Sequence, residues 1–193
     1  AKYLGCTEHL ELNKQIARES VTLLKNDGVL PLGSKKKILV VGPSADDVRC
    51  HFGDWTYFSH PLPDYDAKPE RPYVTLLEGV KALAEKHGCT VSYVKGCEID
   101  EETENGVADA VSAAKHCDVI VFACGDNIWL AKEGIDRADV RLPKAQRELF
   151  KALRGADKPI VTALICTKPL CVPKVDKHSA AVLTNFNGGM FGG

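Results

Sequence analysis

Asp118-Val119-Ile120-Val121-Phe122-Ala123-Cys124-Gly125-Asp126 is the stretch on which the fold turns. It is strand length and apolar throughout rather than alternating, so both of its faces are expected to be buried. It is also far too short to cross a bilayer. Working outward, residues 107–115 and 144–154 read as amphipathic helices on either side of it. Beyond them, 90–94, 159–165 and 180–183 read as further strands, and 37–41 as an earlier one ending at Gly42-Pro43. Residues 75–87 form a helix with Thr75 as N-cap, Glu78 three residues later and Gly88 at the end. Residues 10–25, with Leu12, Ile16, Val21, Leu23 and Leu24 apolar, read as another helix closed by Asn26-Asp27-Gly28. The expected fold is α/β: three layers, a doubly wound and mostly parallel sheet of about five or six strands, and helices on both faces.

In such a fold ligands bind outside the carboxyl ends of the strands. Three loops leave those ends, at residues 42–73, 125–143 and 166–177. The first is long enough that function is the expected reason for its length.

The totals fit a single soluble domain. The chain has 193 residues, 45% hydrophobic and 26% charged, with a formal net charge of -1, which argues against a nucleic-acid partner. No membrane segment is expected, and Ala1-Lys2-Tyr3-Leu4-Gly5 has no signal-peptide pattern. Eight cysteines without a CxxC pair favour buried thiols over disulfides or metal ligands. No metal is expected, and the thiols favour the cytoplasm over the periplasm or secretion.

Two of the loops could carry chemistry. Residues 125–139 gather Asp126, Glu133, Asp136 and Asp139 with Arg137 and Trp129. Glu133, beside Gly134, is an accessible carboxylate suited to donating a proton to a glycosidic oxygen. Asp136-Arg137 reads as a structural ion pair or anchor. Composition alone favours the plainer alternative, that these charges solvate a surface loop. The second loop holds His51-Phe52-Gly53-Asp54-Trp55-Thr56-Tyr57-Phe58, and Asp54 with Trp55 offers a carboxylate and a ring, the pair that binds sugar hydroxyls and C–H faces. A loop pinned to the core by its aromatic residues is the competing reading. His51 and His60 read as surface residues. Gly42-Pro43-Ser44 lacks the glycine spacing of a dinucleotide site, and no P-loop or serine elbow occurs. Cys124, a conceivable nucleophile, has no partnered histidine and reads as a structural thiol.

Several strings, taken in order, resemble the C-terminal α/β domain of family 3 glycoside hydrolases, the β-glucosidase and β-xylosidase group. They are Ala17-Arg18-Glu19-Ser20-Val21-Thr22-Leu23-Leu24-Lys25-Asn26 with Val29-Leu30-Pro31-Leu32; Ile38-Leu39-Val40-Val41-Gly42-Pro43; Gly53-Asp54-Trp55; and Thr75-Leu76-Leu77-Glu78-Gly79-Val80. Gly125-Asp126, Glu133-Gly134-Ile135-Asp136-Arg137 and Leu142-Pro143 complete the series.

The resemblance implies an architecture in which residues 1–11 link to a preceding (β/α)8 barrel and residues 12–193 form the α/β domain, shortened at its C-terminal end. It implies retaining hydrolysis of terminal β-linked glucosyl or xylosyl residues, with the aspartate nucleophile on the barrel and the acid/base on the loop matched by Glu133. Trp55 would flank the sugar, and Asp54, Asp126 and Arg137 would belong to the pocket. The implied partners are a β-linked oligosaccharide or glycoside and the barrel domain, with no organic cofactor. This chain alone would be inactive. The alternative is a non-catalytic carbohydrate-binding or scaffold module of the same fold.

Overall fold

The computed structural model describes residues 3–56, 72–100 and 105–193. The elements run α1 (Thr7–Ser20), β1 (Thr22–Asn26), β2 (Lys37–Val41), α2 (Leu76–Lys86), β3 (Thr90–Val94), α3 (Asn105–Ala114), β4 (Val119–Gly125), α4 (Lys144–Leu153), β5 (Ile160–Ile165), α5 (Pro173–His178) and β6 (Ala181–Asn185). Six strands form one sheet in the order β1-β6-β5-β4-β2-β3. All neighbours are parallel except β1 and β6. β4 is buried at every position, as its unbroken apolar run requires.

The sheet separates two apolar layers. On one face Leu39, Ile120, Phe122 and Leu164 pack with Ala110 and Ala114 of α3, Leu149 and Leu153 of α4 and Val175 of α5. On the other, Ile38, Val40, Val119, Val121 and Val161 meet Leu77 and Ala84 of α2, with Leu30 and Leu32 beside them. This is the three-layer arrangement expected. α2 also starts as expected. The Thr75 side chain accepts from the Glu78 N–H while Glu78 accepts from the Thr75 N–H at 3.0 Å, so two orphan donors of the first turn are satisfied reciprocally.

Two local expectations fail, each for a physical reason. Residues 10–25 do not form one helix, because α1 ends at Ser20, Val21 is extended and β1 follows. Adjacent β-branched Val21 and Thr22 disfavour helix, and the open edge of β6 supplies a ladder for β1. Asn26 then closes the turn, its Oδ1 accepting from the Gly28 and Leu30 N–H groups. Within residues 166–177, expected as loop, Pro173 opens the short helix α5, a first-turn position where proline loses no hydrogen bond.

All eight cysteines are free thiols, and Cys50, Cys97, Cys117, Cys124 and Cys166 are buried. Burial pushes the Cys166 thiol up to about 11 and the Cys97 thiol up to about 12, and raises Cys124 well above its ordinary range. Protonated thiols of this kind are packing groups, not nucleophiles.

Candidate active site

The chain direction sets where a ligand can enter. From β2 the chain crosses to β3 on one side, and from β3 it crosses back to β4 on the other. β2 and β4 are therefore the point where the strand order reverses, and their outgoing loops part to leave a crevice. Both exits need glycine. A Cβ on Gly42 (φ 123°) would lie 1.9 Å from the Ala123 carbonyl oxygen, and one on Gly125 (φ 153°) 1.6 Å from that of Ile165. Between the exits lies a cleft of about 260 Å³, walled by Pro43, Asp47, Arg49, Asn127 and Trp129 among others.

The loop after β4 is nailed down at its start. The Asp126 side chain is fully buried; its Oδ1 accepts from the Thr167 N–H at 2.6 Å and its Oδ2 from Arg137 Nη1 at 3.2 Å. Burial raises the Asp126 pKa, against the pull of the Thr167 N–H and the Arg137 charge. Arg137 also donates to the Arg141 carbonyl. The partner of Arg137 is thus Asp126, eleven residues back, and not the neighbouring Asp136. Gln146 of α4, wholly buried, clamps the same root. Its Oε1 accepts from the Gly125 N–H, and its Nε2 donates to the carbonyls of Gly125 and Ile99, each at 2.8 Å. Sequence reading missed Gln146; its signal is a polar residue on the core-facing stripe of an amphipathic helix.

Farther out the loop rises to Glu133 and Gly134, both exposed. The Glu133 N–H donates to Asp54 Oδ2 at 2.6 Å, across 79 residues of sequence. Asp54 Oδ1 accepts from the Trp55 N–H at 2.9 Å. One carboxylate therefore joins the two loops, using one oxygen for each. Trp55 adopts φ 58° and is 72% exposed as a residue, a left-handed turn on the open surface. The backbones of Glu133 and Trp55 are thus joined through the Asp54 carboxylate; Asp126 and Arg137 lie in the root beneath.

A second ring supports the cleft. Arg49 pairs with Asp47 through Nε and Nη2, at 2.8 and 2.7 Å, and its guanidinium lies 5.7 Å from the Trp129 ring centroid, within cation–π range. His51, expected at the surface, is instead completely buried. Its single 3-10 turn, Val48–His51, packs against the Gly189–Phe191 turn, and a Cβ on Gly192 would lie 2.2 Å from His51 Nδ1. Neither ring nitrogen has a partner among the described residues, and burial lowers the His51 pKa to about 4. Tyr57, Phe58 and His60 lie outside the described residues. No cluster of three metal-ligating side chains occurs among the described residues.

Known proteins are similar to this chain in sequence and fold. A β-xylosidase of Formosa agariphila is 34% identical over 192 residues, 98% of this chain and 26% of that protein. The periplasmic β-glucosidase of Salmonella typhimurium is 32% identical over 206 residues, with 96% and 26% covered. The β-glucosidase from Listeria innocua in complex with glucose matches with TM-score 0.83 and 28% identity, over all of this chain and 25% of that one. The chain thus spans about a quarter of the length of these relatives. Residues 21–193 match the description "Glycosyl hydrolase family 3 C-terminal domain", and the chain belongs to that family.

Proposed function

We propose that this chain is the second domain of a retaining β-glycosidase that hydrolyses terminal β-linked glucosyl or xylosyl residues. Glu133 supplies the acid/base, and an aspartate on a (β/α)8 barrel domain outside these residues supplies the nucleophile. In the first step Glu133 protonates the departing glycosidic oxygen while the nucleophile forms a glycosyl-enzyme. In the second, Glu133 takes a proton from the attacking water. Such a pair works with its carboxyl groups about 5–5.5 Å apart, so the loop tip must be carried to the barrel with little slack.

The observation that carries this reading is the Asp54 bridge, which ties the Glu133 backbone to the turn that presents Trp55. An exposed carboxylic acid on one loop and an exposed aromatic ring on the loop tied to it suit a sugar whose leaving group is protonated and whose C–H face is stacked. Asp126 and Arg137 act by position: the Asp126 side chain is fully enclosed, so it holds the loop and leaves contact with the sugar to the tip. The barrel partner accords with a run of exposed apolar residues at the start of the chain, Leu4, Leu12, Ile16, Leu23 and Leu24, which suits a packing face.

The test uses the full-length protein with Glu133→Ala and aryl β-glucosides and β-xylosides. With poor leaving groups kcat is expected to fall roughly 10²–10⁴-fold, and azide is expected to restore turnover as the glycosyl azide. Glu133→Gln should melt at the wild-type temperature. Unchanged activity in Glu133→Ala, with no azide product, would remove Glu133 from this role.

A further inference from the structure

The helical layer made by α3, α4 and α5 carries a feature that the strand-end site does not use. A groove of about 560 Å³ runs between α4 and α5. Its floor is apolar, with Leu142, Phe150 and Val175 buried beneath it. Its rim is cationic: Arg141, Arg147, Lys151, Arg154, Lys174 and Lys177 line it, against the single carboxylate of Glu148. The chain as a whole is nearly neutral, with 25 basic and 26 acidic residues, so this is a local concentration of charge and not a general property of the surface.

Two of the six cations are already engaged, Arg141 with Asp139 and Lys151 with Glu148. Arg147, Arg154, Lys174 and Lys177 form no ion pair among the described residues. The field is felt nearby, where desolvation and then the Arg154 and Lys177 charges lower the pKa of His178 on the same rim. Asp139, already paired with Arg141, also feels the Arg147 charge, but four cations without an ion pair over one apolar floor repel each other and gain most from an anion of more than one charge. A lone carboxylate would offset one of them. A phosphate monoester, with two charges and three acceptor oxygens, suits guanidinium and ammonium donors together. The volume falls in the range of small-molecule pockets, and the floor suits a flat or branched apolar body.

We propose that the α4–α5 groove binds a small phosphate monoester with an apolar body, seated on Leu142, Phe150 and Val175 and held at its phosphate by Arg147, Arg154, Lys174 and Lys177. The site is separate from the strand-end crevice and stands whether or not Glu133 is the acid/base.

The experiment is calorimetric titration of the full-length protein with 1-naphthyl phosphate, beside 1-naphthol and inorganic phosphate. The ester is expected to bind with a Kd below about 1 mM, at least about tenfold tighter than either half alone, and more weakly as salt rises. The double variant R147Q/K174Q, and separately R154Q/K177Q, should each weaken it about tenfold or more while melting like the wild type. Equal binding of 1-naphthol would show that the charges are not used. Equal binding of inorganic phosphate would show that the floor is not used. Either result, no saturable binding of the ester, unchanged binding in both variants, or binding of a polyglutamate peptide in its place would overturn the proposal.

Discussion

The loop that leaves β4 contains two regions of opposite character. Its root, at Gly125 and Asp126, is buried, close-packed and bonded on every side, with Gln146, Thr167 and Arg137 all converging on two residues. Its tip, at Glu133 and Gly134, is exposed and tied through one backbone hydrogen bond to Asp54. On the role proposed for Glu133, the difference teaches how a domain can present an acid to a partner. Burial and bonding are concentrated where the loop leaves the sheet, while the Glu133 carboxylate stands in the open and is positioned through its backbone. Substitutions at the root should therefore cost stability, and those at the tip should cost rate.

The sharpest way to break this contrast is Gly125→Ala. The added methyl would meet the Ile165 carbonyl and force a side chain into a left-handed backbone, so a loss of about 4 kcal/mol or more, or failure to fold, is expected in denaturant unfolding. Asp126→Ala comes next. It strands Arg137 and the Thr167 N–H in a half-buried place, and about 3 kcal/mol is expected by the same measurement.

The loop after β2 repeats the contrast, with buried His51 below and exposed Trp55 above. In the unfolded chain the His51 ring takes up a proton below its ordinary value of 6.5, whereas in the folded chain it resists until about 4. The unfolded state binds more protons between these limits. Stability from the buried neutral ring is thus complete above pH 6.5 and drains away as pH falls to 4. The loss is up to about 3 kcal/mol. Urea titrations of the wild type and a His51→Gln variant across that range should show a pH slope in the first that is reduced in the second. The smallest effect on stability belongs to Asp54→Asn, which keeps an acceptor but loses its charge. About 1 kcal/mol or less is expected in thermal melts, together with a fall of about tenfold in kcat for the full-length protein, since a small misplacement of an acid is costly.

Much of this architecture is legible in the chain. An apolar strand such as β4 and a capping box such as Thr75–Glu78 are local patterns, and local physics is enough to read them. The β1 strand was hidden because Leu12, Ile16, Leu23 and Leu24 satisfy a helical spacing while the decisive partner, β6, lies more than a hundred residues away. The partner of Arg137 and the depth of His51 were hidden for the same reason: each depends on what the fold brings near, not on its neighbours in sequence. Glu133 and Trp55 could be singled out by residue type, but the hydrogen bond that joins their loops spans 79 residues and becomes visible only in three dimensions.

The first residues of the chain carry a practical consequence. β1 is an edge strand with Leu23 and Leu24 about half exposed, and Leu12 and Ile16 lie one turn apart on α1 in the same state. An open ladder bordered by bare aliphatic side chains is an invitation to stick. Residues 1–193 handled as an isolated polypeptide would meet their difficulty in the test tube as concentration-dependent clumping, and the remedy would be to keep a cover on that edge rather than to strengthen the core.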